Sequence, residues 1–229
     1  MKEEPYDSNF KIKKILCYGD SNTWGWVPSS MGLKRYDSNN RWPGVLQKIL
    51  SNNYKVIEEG LGARTTMFND PRPEFPLRNG AETLPIILES HLPLNWVIIM
   101  LGTTDTKEML NLTSQDITKG MTRLIKIVKS IKVLENCTPP KILIVVPPIV
   151  KEEANFASKL FKGATVKTKG LIDSYQKLAE EEEVFYLNPT GKIKVDEFEG
   201  IHLDNVNQIN LGKLIANKIL EVEKESSKL

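Results

Sequence analysis

The sequence predicts an α/β protein: a doubly wound, mostly parallel five-stranded sheet in a three-layer arrangement. Two observations carry this. Four short apolar runs rich in β-branched residues, at 15–18, 54–58, 96–101 and 141–146, each stop at small or polar residues, and a weaker fifth run lies at 184–187. Segments with apolar residues at helical spacing separate them. Such an alternation returns the chain by right-handed crossovers to the same end of a parallel sheet, and functional groups then collect at the carboxyl ends of the strands.

The elements run in order. The first strand, Ile15-Leu16-Cys17-Tyr18, ends at Gly19-Asp20-Ser21, and Val45, Leu46, Ile49 and Leu50 mark the helix after it. The second strand ends at Gly60, and a helix finishing near His91 leads to the third, which ends at Gly102. Ile117, Met121, Leu124, Ile125 and Val128 recur at helical spacing, and the fourth strand is stopped by Pro147-Pro148. Helices over 170–182, with Leu171, Tyr175 and Leu178 on one side, and over 207–223, with Ile209, Leu214, Ile215 and Leu220, flank the fifth strand. Residues 27–41 and 67–80, the latter with Pro71, Pro73 and Pro76, fit neither period. Loops this long shape a binding site or are held by another subunit.

At 229 residues, with 40% hydrophobic and 26% charged residues, the chain has material for one globular domain over 1–229, with 1–12 as a flexible N-terminal extension. Thirty-one Lys and Arg stand against 29 Asp and Glu, interleaved, so no field of one sign is expected and nucleic acid is not an expected partner. The two cysteines, Cys17 and Cys137, have no metal-ligand spacing around them and are compatible with a reducing compartment. The first residues do not read as a secretory signal, and no apolar run reaches the roughly 18 to 20 residues of a membrane span, so a cytoplasmic protein with no membrane partner is expected.

Chemistry starts at Gly19-Asp20-Ser21-Asn22-Thr23, directly after the first strand. A serine there can be a nucleophile, with backbone N–H groups pointing outward; Ser21 or Asp20 could equally do no more than cap a helix. A nucleophilic serine needs a base, and the chain has two histidines. His91, at a helix end, is the weaker candidate. His202 has Glu199 three residues upstream, a spacing that lets one turn present both side chains in one direction, so the carboxylate can fix the imidazole tautomer and stabilise the imidazolium. The small-residue turns 60–66 and 102–105 end strands at the same face; each could offer oxyanion donors or serve only as a glycine turn.

Four segments in one order, GDSNT at 19–23, GLGARTT at 60–66, GTTD at 102–105 and EGIH at 199–202, together resemble the four blocks of the SGNH, or GDSL-like, hydrolases, which have a flavodoxin-like sheet. The likeness is closer to the arylesterase and perhydrolase-type acyltransferase branch, through GDSNTWGW at 19–26, RW at 41–42, VIEEGLGARTT at 56–66, VIIMLGTTDTK at 97–107 and the proline-rich insertion ending LRNGAETL at 77–84. The resemblance implies Ser21 as nucleophile, His202 as base and Glu199 as its acidic partner. It implies an oxyanion hole from the N–H groups of Ser21 and Ala63 with Thr104, and a substrate pocket near Asp20, Trp24 and Trp26, although two such tryptophans are also ordinary core material. Glu199 stands where the family usually has aspartate, and Thr104 where it has asparagine.

The resemblance and the residues together predict a serine esterase or acyltransferase acting on small, acetyl-type esters through a covalent acyl-enzyme, with no metal or organic cofactor, and assembled as a dimer or larger. The alternatives are a carbohydrate O-acetylesterase, an SGNH-fold binding protein weakened by Thr104, and a nucleotide-binding flavodoxin-like protein. The last is disfavoured because no glycine turn has phosphate-loop spacing.

Overall fold

The computed structural model describes residues 12–226. The extension expected at 1–12 lies, except for Ile12, outside the described residues. Five strands, β1 (Lys13–Gly19), β2 (Tyr54–Gly60), β3 (Trp96–Met100), β4 (Lys141–Val145) and β5 (Phe185–Leu187), form one sheet in the order β2-β1-β3-β4-β5. Every pairing is parallel. The helices are α1 (Ser21–Trp24), α2 (Trp42–Leu50), α3 (Gly80–His91), α4 (Ser114–Ser130), α5 (Ala164–Glu181) and α6 (Asn205–Ser226).

The central strands read as continuous apolar runs because both their faces are covered. Leu16 and Tyr18 of β1, Val97 and Ile99 of β3, and Ile142 and Ile144 of β4 point into a core closed by Leu84 and Leu88 of α3, Met121 and Ile125 of α4, and Leu171 and Tyr175 of α5. The alternate residues Ile15, Cys17, Ile98 and Leu143 meet Trp42 and Leu46 of α2 and Leu211, Ile215 and Ile219 of α6 on the other face. This is the three-layer, doubly wound arrangement that the sequence predicts.

Local chemistry sets the element ends. Thr113 and Asp116 make a reciprocal capping box at the start of α4. Asp204 accepts the Asn207 N–H at 2.8 Å at the start of α6. Helix α5 begins at Ala164, six residues before the apolar period becomes visible, because its first turn packs on a small separate core of Val150, Ala154, Ala157, Phe161 and Ile201. That core is made by the irregular stretch after β4, whose side chains keep no helical or strand period. Strand β1 lies between β2 and β3, so the chain leaves it in opposite directions on its two sides, and the crevice above its carboxyl end is where open α/β sheets bind ligands.

Candidate active site

Ser21, Ala63 and Thr104 come just after the carboxyl ends of β1, β2 and β3 respectively, and His202 arrives on the strap before α6. Asp20 is the cap of α1: its Oδ1 accepts the Asn22 N–H at 2.9 Å, which leaves Ser21 as the first helical residue. Ser21 Oγ lies 2.8 Å from His202 Nε2, across 181 residues of sequence. On the far side of the ring His202 Nδ1 is 2.5 Å from Glu199 Oε1. The carboxylate can only accept there, so Nδ1 carries a hydrogen, and in the neutral ring Nε2 is left with the lone pair to which the Ser21 hydroxyl can donate.

Glu199 is fixed as firmly as the ring it meets. Its Oε2 accepts the backbone N–H groups of Ile201 at 3.0 Å and His202 at 2.8 Å, so the longer glutamate side chain folds back over its own turn. Burial works against its charge, but the His202 ring and these N–H groups prevail and hold the carboxyl below the usual range. The turn needs Gly200 at φ 89°, where a Cβ would meet the Lys151 carbonyl at 2.5 Å. The strap is tied to α1 by Asn22, which donates from Nδ2 to the Ile201 carbonyl at 3.2 Å and accepts the Leu203 N–H at 2.9 Å. The Asn22 carbonyl in turn accepts from Gln208 Nε2 at 2.9 Å, and Gln208 Oε1 accepts the Trp42 N–H at 2.9 Å. Sequence reasoning misses Asn22 and Gln208, because their effect depends on a contact between segments far apart in the chain.

A cavity of about 80 Å³ opens beside Ser21 and His202. Ala63 and Thr104 line it, as does Trp26, whose ring stacks on the His202 imidazole with centroids 4.8 Å apart and planes 13° apart. Ala63 takes φ 64°, a left-handed conformation natural to glycine. Among the described residues no hydrogen bond within the protein uses the N–H of Ser21 or Ala63. The rest of the wall is mainly aromatic and aliphatic, with Phe75, Phe156, Leu160, Phe161 and Ile201, and two cations, Arg72 and Lys107, join it. Periodicity gives no sign of these residues, since all but Ile201 come from the 67–80 loop, the turn after β3 and the irregular stretch after β4.

Two residues expected in the pocket stand outside its lining. Asp20 is 1% exposed and sits beneath the site, because capping α1 turns its carboxylate inward, beside the Thr103 hydroxyl. Burial pushes the Asp20 carboxyl up to about 6, against the Asn22 N–H and the nearby His202, which favour its charge. Trp24 lies behind Trp26, edge to face at 6.2 Å, with Arg35 over its ring at 5.3 Å and the Arg35 Nε donating to its carbonyl at 2.6 Å. His91, at the end of α3, pairs with Glu59 at 3.2 Å and takes no part in the cavity. Among the described residues no group of three or more His, Cys, Asp or Glu side chains is arranged to hold a metal ion.

The family model of the GDSL-like lipase/acylhydrolases matches residues 17–205. The native aryl esterase of M. smegmatis is 40% identical over 91% of this chain and 99% of its own, with a TM-score of 0.84. Est24, a carbohydrate acetylesterase from Sinorhizobium meliloti, is 38% identical over 92% of this chain and 99% of its own, also with a TM-score of 0.84. No match is found among curated proteins. The extent of the family match, spanning all the strand ends that meet at the cavity, means that the chain belongs to the GDSL-like lipase/acylhydrolase family of carboxylic ester hydrolases.

Proposed function

We propose that the chain is a serine esterase or acyltransferase for small, acetyl-type esters, working through a Ser21-His202-Glu199 triad and a covalent acyl-enzyme. The observation that carries this reading is the continuous hydrogen-bonded line from Ser21 Oγ through both ring nitrogens of His202 to Glu199. As Ser21 Oγ bonds to the ester carbonyl carbon, its proton passes to His202 Nε2, and Glu199 stabilises the imidazolium. The N–H groups of Ser21 and Ala63 and the Thr104 hydroxyl stabilise the oxyanion. The tetrahedral intermediate expels the alcohol, which takes the proton from His202, and leaves acyl-Ser21. Water, activated by the same imidazole, then releases the acid; another alcohol or peroxide in its place would give acyl transfer.

Ser21→Ala should abolish hydrolysis of an activated aryl acetate and labelling by a fluorophosphonate, and undiminished turnover would exclude the assignment. Carbohydrate O-acetylesterase activity is the second reading, favoured by the likeness to Est24. A panel of acetylated sugars against aryl and alkyl acetates separates the two.

We also propose that the chain assembles as a dimer or larger through the 67–80 insertion, where Leu77 is 73% exposed. Light scattering that returns a monomer at working concentration would contradict this. A cytoplasmic location is the reading favoured by the two unpaired cysteines, and cell fractionation tests it. Among the described residues no helix is long and apolar enough to cross a membrane.

A further inference from the structure

The wall of the cavity carries an asymmetry of charge. Among the described residues, the ionisable side chains that line it besides His202 are Arg72 and Lys107, and no carboxylate does. Both cations are held from behind by one acid. Asp70, whose side chain has no exposed surface, accepts from Lys107 Nζ at 2.9 Å, from Arg72 Nε at 2.8 Å and from Arg72 Nη2 at 2.6 Å. One carboxylate against two cations leaves the wall with an excess of positive charge. Two further acids act on these cations from outside the lining, Asp105 on Lys107 and Glu74 on Arg72. Asp105 is fully buried and turned to Thr66, whose N–H and hydroxyl it accepts at 2.9 and 2.5 Å, and Glu74 is exposed, where water and salt screen it.

The donors of these cations are only partly used. Arg72 engages Asp70 through Nε and Nη2, and Lys107 through one of its three N–H bonds; among the described residues no hydrogen bond takes up Arg72 Nη1 or the other Lys107 protons. The guanidinium lies 4.2 Å over the Phe75 ring, and the two-point contact with Asp70 fixes its plane. A cation held in this way on an aromatic surface meets an anion with little ordering cost, in surroundings where water screens less than in bulk.

We propose that Arg72 and Lys107 form an anion-recognising wall of this pocket and that the enzyme prefers esters carrying a carboxylate. The inference rests on the esterase reading of the same site and narrows its substrate class. The carboxylate would accept from Arg72 Nη1 and Lys107 Nζ while the ester carbonyl sits at Ser21.

The test compares matched ester pairs. In 4-acetoxybenzoate against 4-acetoxybenzamide the charge is on the alcohol side; in phenyl hemisuccinate against phenyl succinamate it is on the acyl side. For at least one pair the wild-type enzyme should turn over the charged member with a kcat/KM higher by about tenfold at low ionic strength, as expected of a charge-assisted contact in a partly dry pocket. That ratio should fall toward one in Arg72→Gln, and in the wild type at roughly 0.5 M salt. The ratio is read within one enzyme, so a general loss of activity in the variant does not obscure it. A wild-type ratio at or below one in both pairs overturns the proposal, and so does a ratio that Arg72→Gln leaves unchanged. If Arg72→Gln does not fold, competitive inhibition of the wild type gives the same answer: benzoate should bind about tenfold tighter than benzamide, and equal inhibition overturns the inference. No turnover of any of the four esters, together with no fluorophosphonate labelling, would instead strike at the esterase reading beneath it.

Discussion

At the scale of single residues two substitutions carry the most information. Thr104 lines the cavity where the family usually has asparagine, and among the described residues no hydrogen bond takes up its hydroxyl, so its proton is available to an oxyanion. Loss of one preorganised donor of this kind costs on the order of 10²–10³ in rate when the donor is well placed. We therefore expect Thr104→Val, which keeps the shape and removes the hydroxyl, to lower kcat by about tenfold or more with little change in KM; a kcat within twofold of wild type would show that Thr104 donates nothing. Asp20 makes a different prediction, about stability. Its carboxyl is pushed up to about 6 in the folded protein by burial, whereas an exposed aspartate titrates near 4. Between these values the folded state keeps a proton that the unfolded state has lost, so stability falls as pH rises through this window, and the full penalty applies above it. Asp20→Asn keeps an acceptor for the Asn22 N–H and removes the buried charge. It should raise the melting temperature at about pH 7.5, by an amount corresponding to roughly 1–3 kcal/mol, with the gain shrinking to nothing near pH 4. Thermal melts of both proteins across that range check the sign, and a gain that grows as the pH falls would refute it.

At the scale of elements the site depends on how the strap before α6 is held against α1. Asn22 does this with two hydrogen bonds, one to each neighbour of His202 in sequence, so the imidazole lies between two clamped residues. Asn22→Ala would leave the buried Ile201 carbonyl and Leu203 N–H without partners, at about 1–3 kcal/mol for each orphaned group. The expected result is a less stable protein in which kcat falls more than KM rises, because the strap can drift while the cavity wall stays in place. Asn22→Asp keeps the acceptor for Leu203 but turns a carboxylate oxygen toward the Ile201 carbonyl and buries a charge, so it should recover none of the loss at neutral pH. Equal kcat in Asn22→Ala and wild type would mean that the strap is positioned by Glu199 and its turn alone. Elements also show where legibility ends. Strands β1 to β4 can be read because each is a β-branched run closed by glycine or proline. The stretch 147–163 cannot, since its core of Val150, Ala154, Ala157 and Phe161 is assembled by turns that impose no period. The same limit hides Phe156, Leu160 and Phe161 as cavity residues, while Ser21 can be found at the end of a marked strand and His202 by the acid three residues before it; within their turns Ala63 and Thr104 are singled out only by the family resemblance.

At the scale of the whole molecule the two main cores share one sheet. Successive residues of β1, β3 and β4 alternate between the face covered by α3, α4 and α5 and the face covered by α2 and α6, so neither helical layer can leave without exposing strands that the other still needs. A polar line joins the layers at the site: Trp42 of α2, Gln208 of α6 and Asn22 of α1 are hydrogen-bonded in sequence, and Asn22 reaches the strap beside His202. Pocket and scaffold are thus held by the same contacts, which argues for one folding unit, as the length and uniform composition of the chain also suggest. The expected outcome is a single cooperative thermal transition at fixed protein concentration, with ester hydrolysis, tryptophan fluorescence and far-ultraviolet circular dichroism lost at one midpoint. Trp42 and Trp96 are fully buried in the core and Trp26 lies against His202, so fluorescence reports scaffold and site together. Activity lost well below the global midpoint would instead mark the strap and the 67–80 loop as a separately melting layer over a stable sheet.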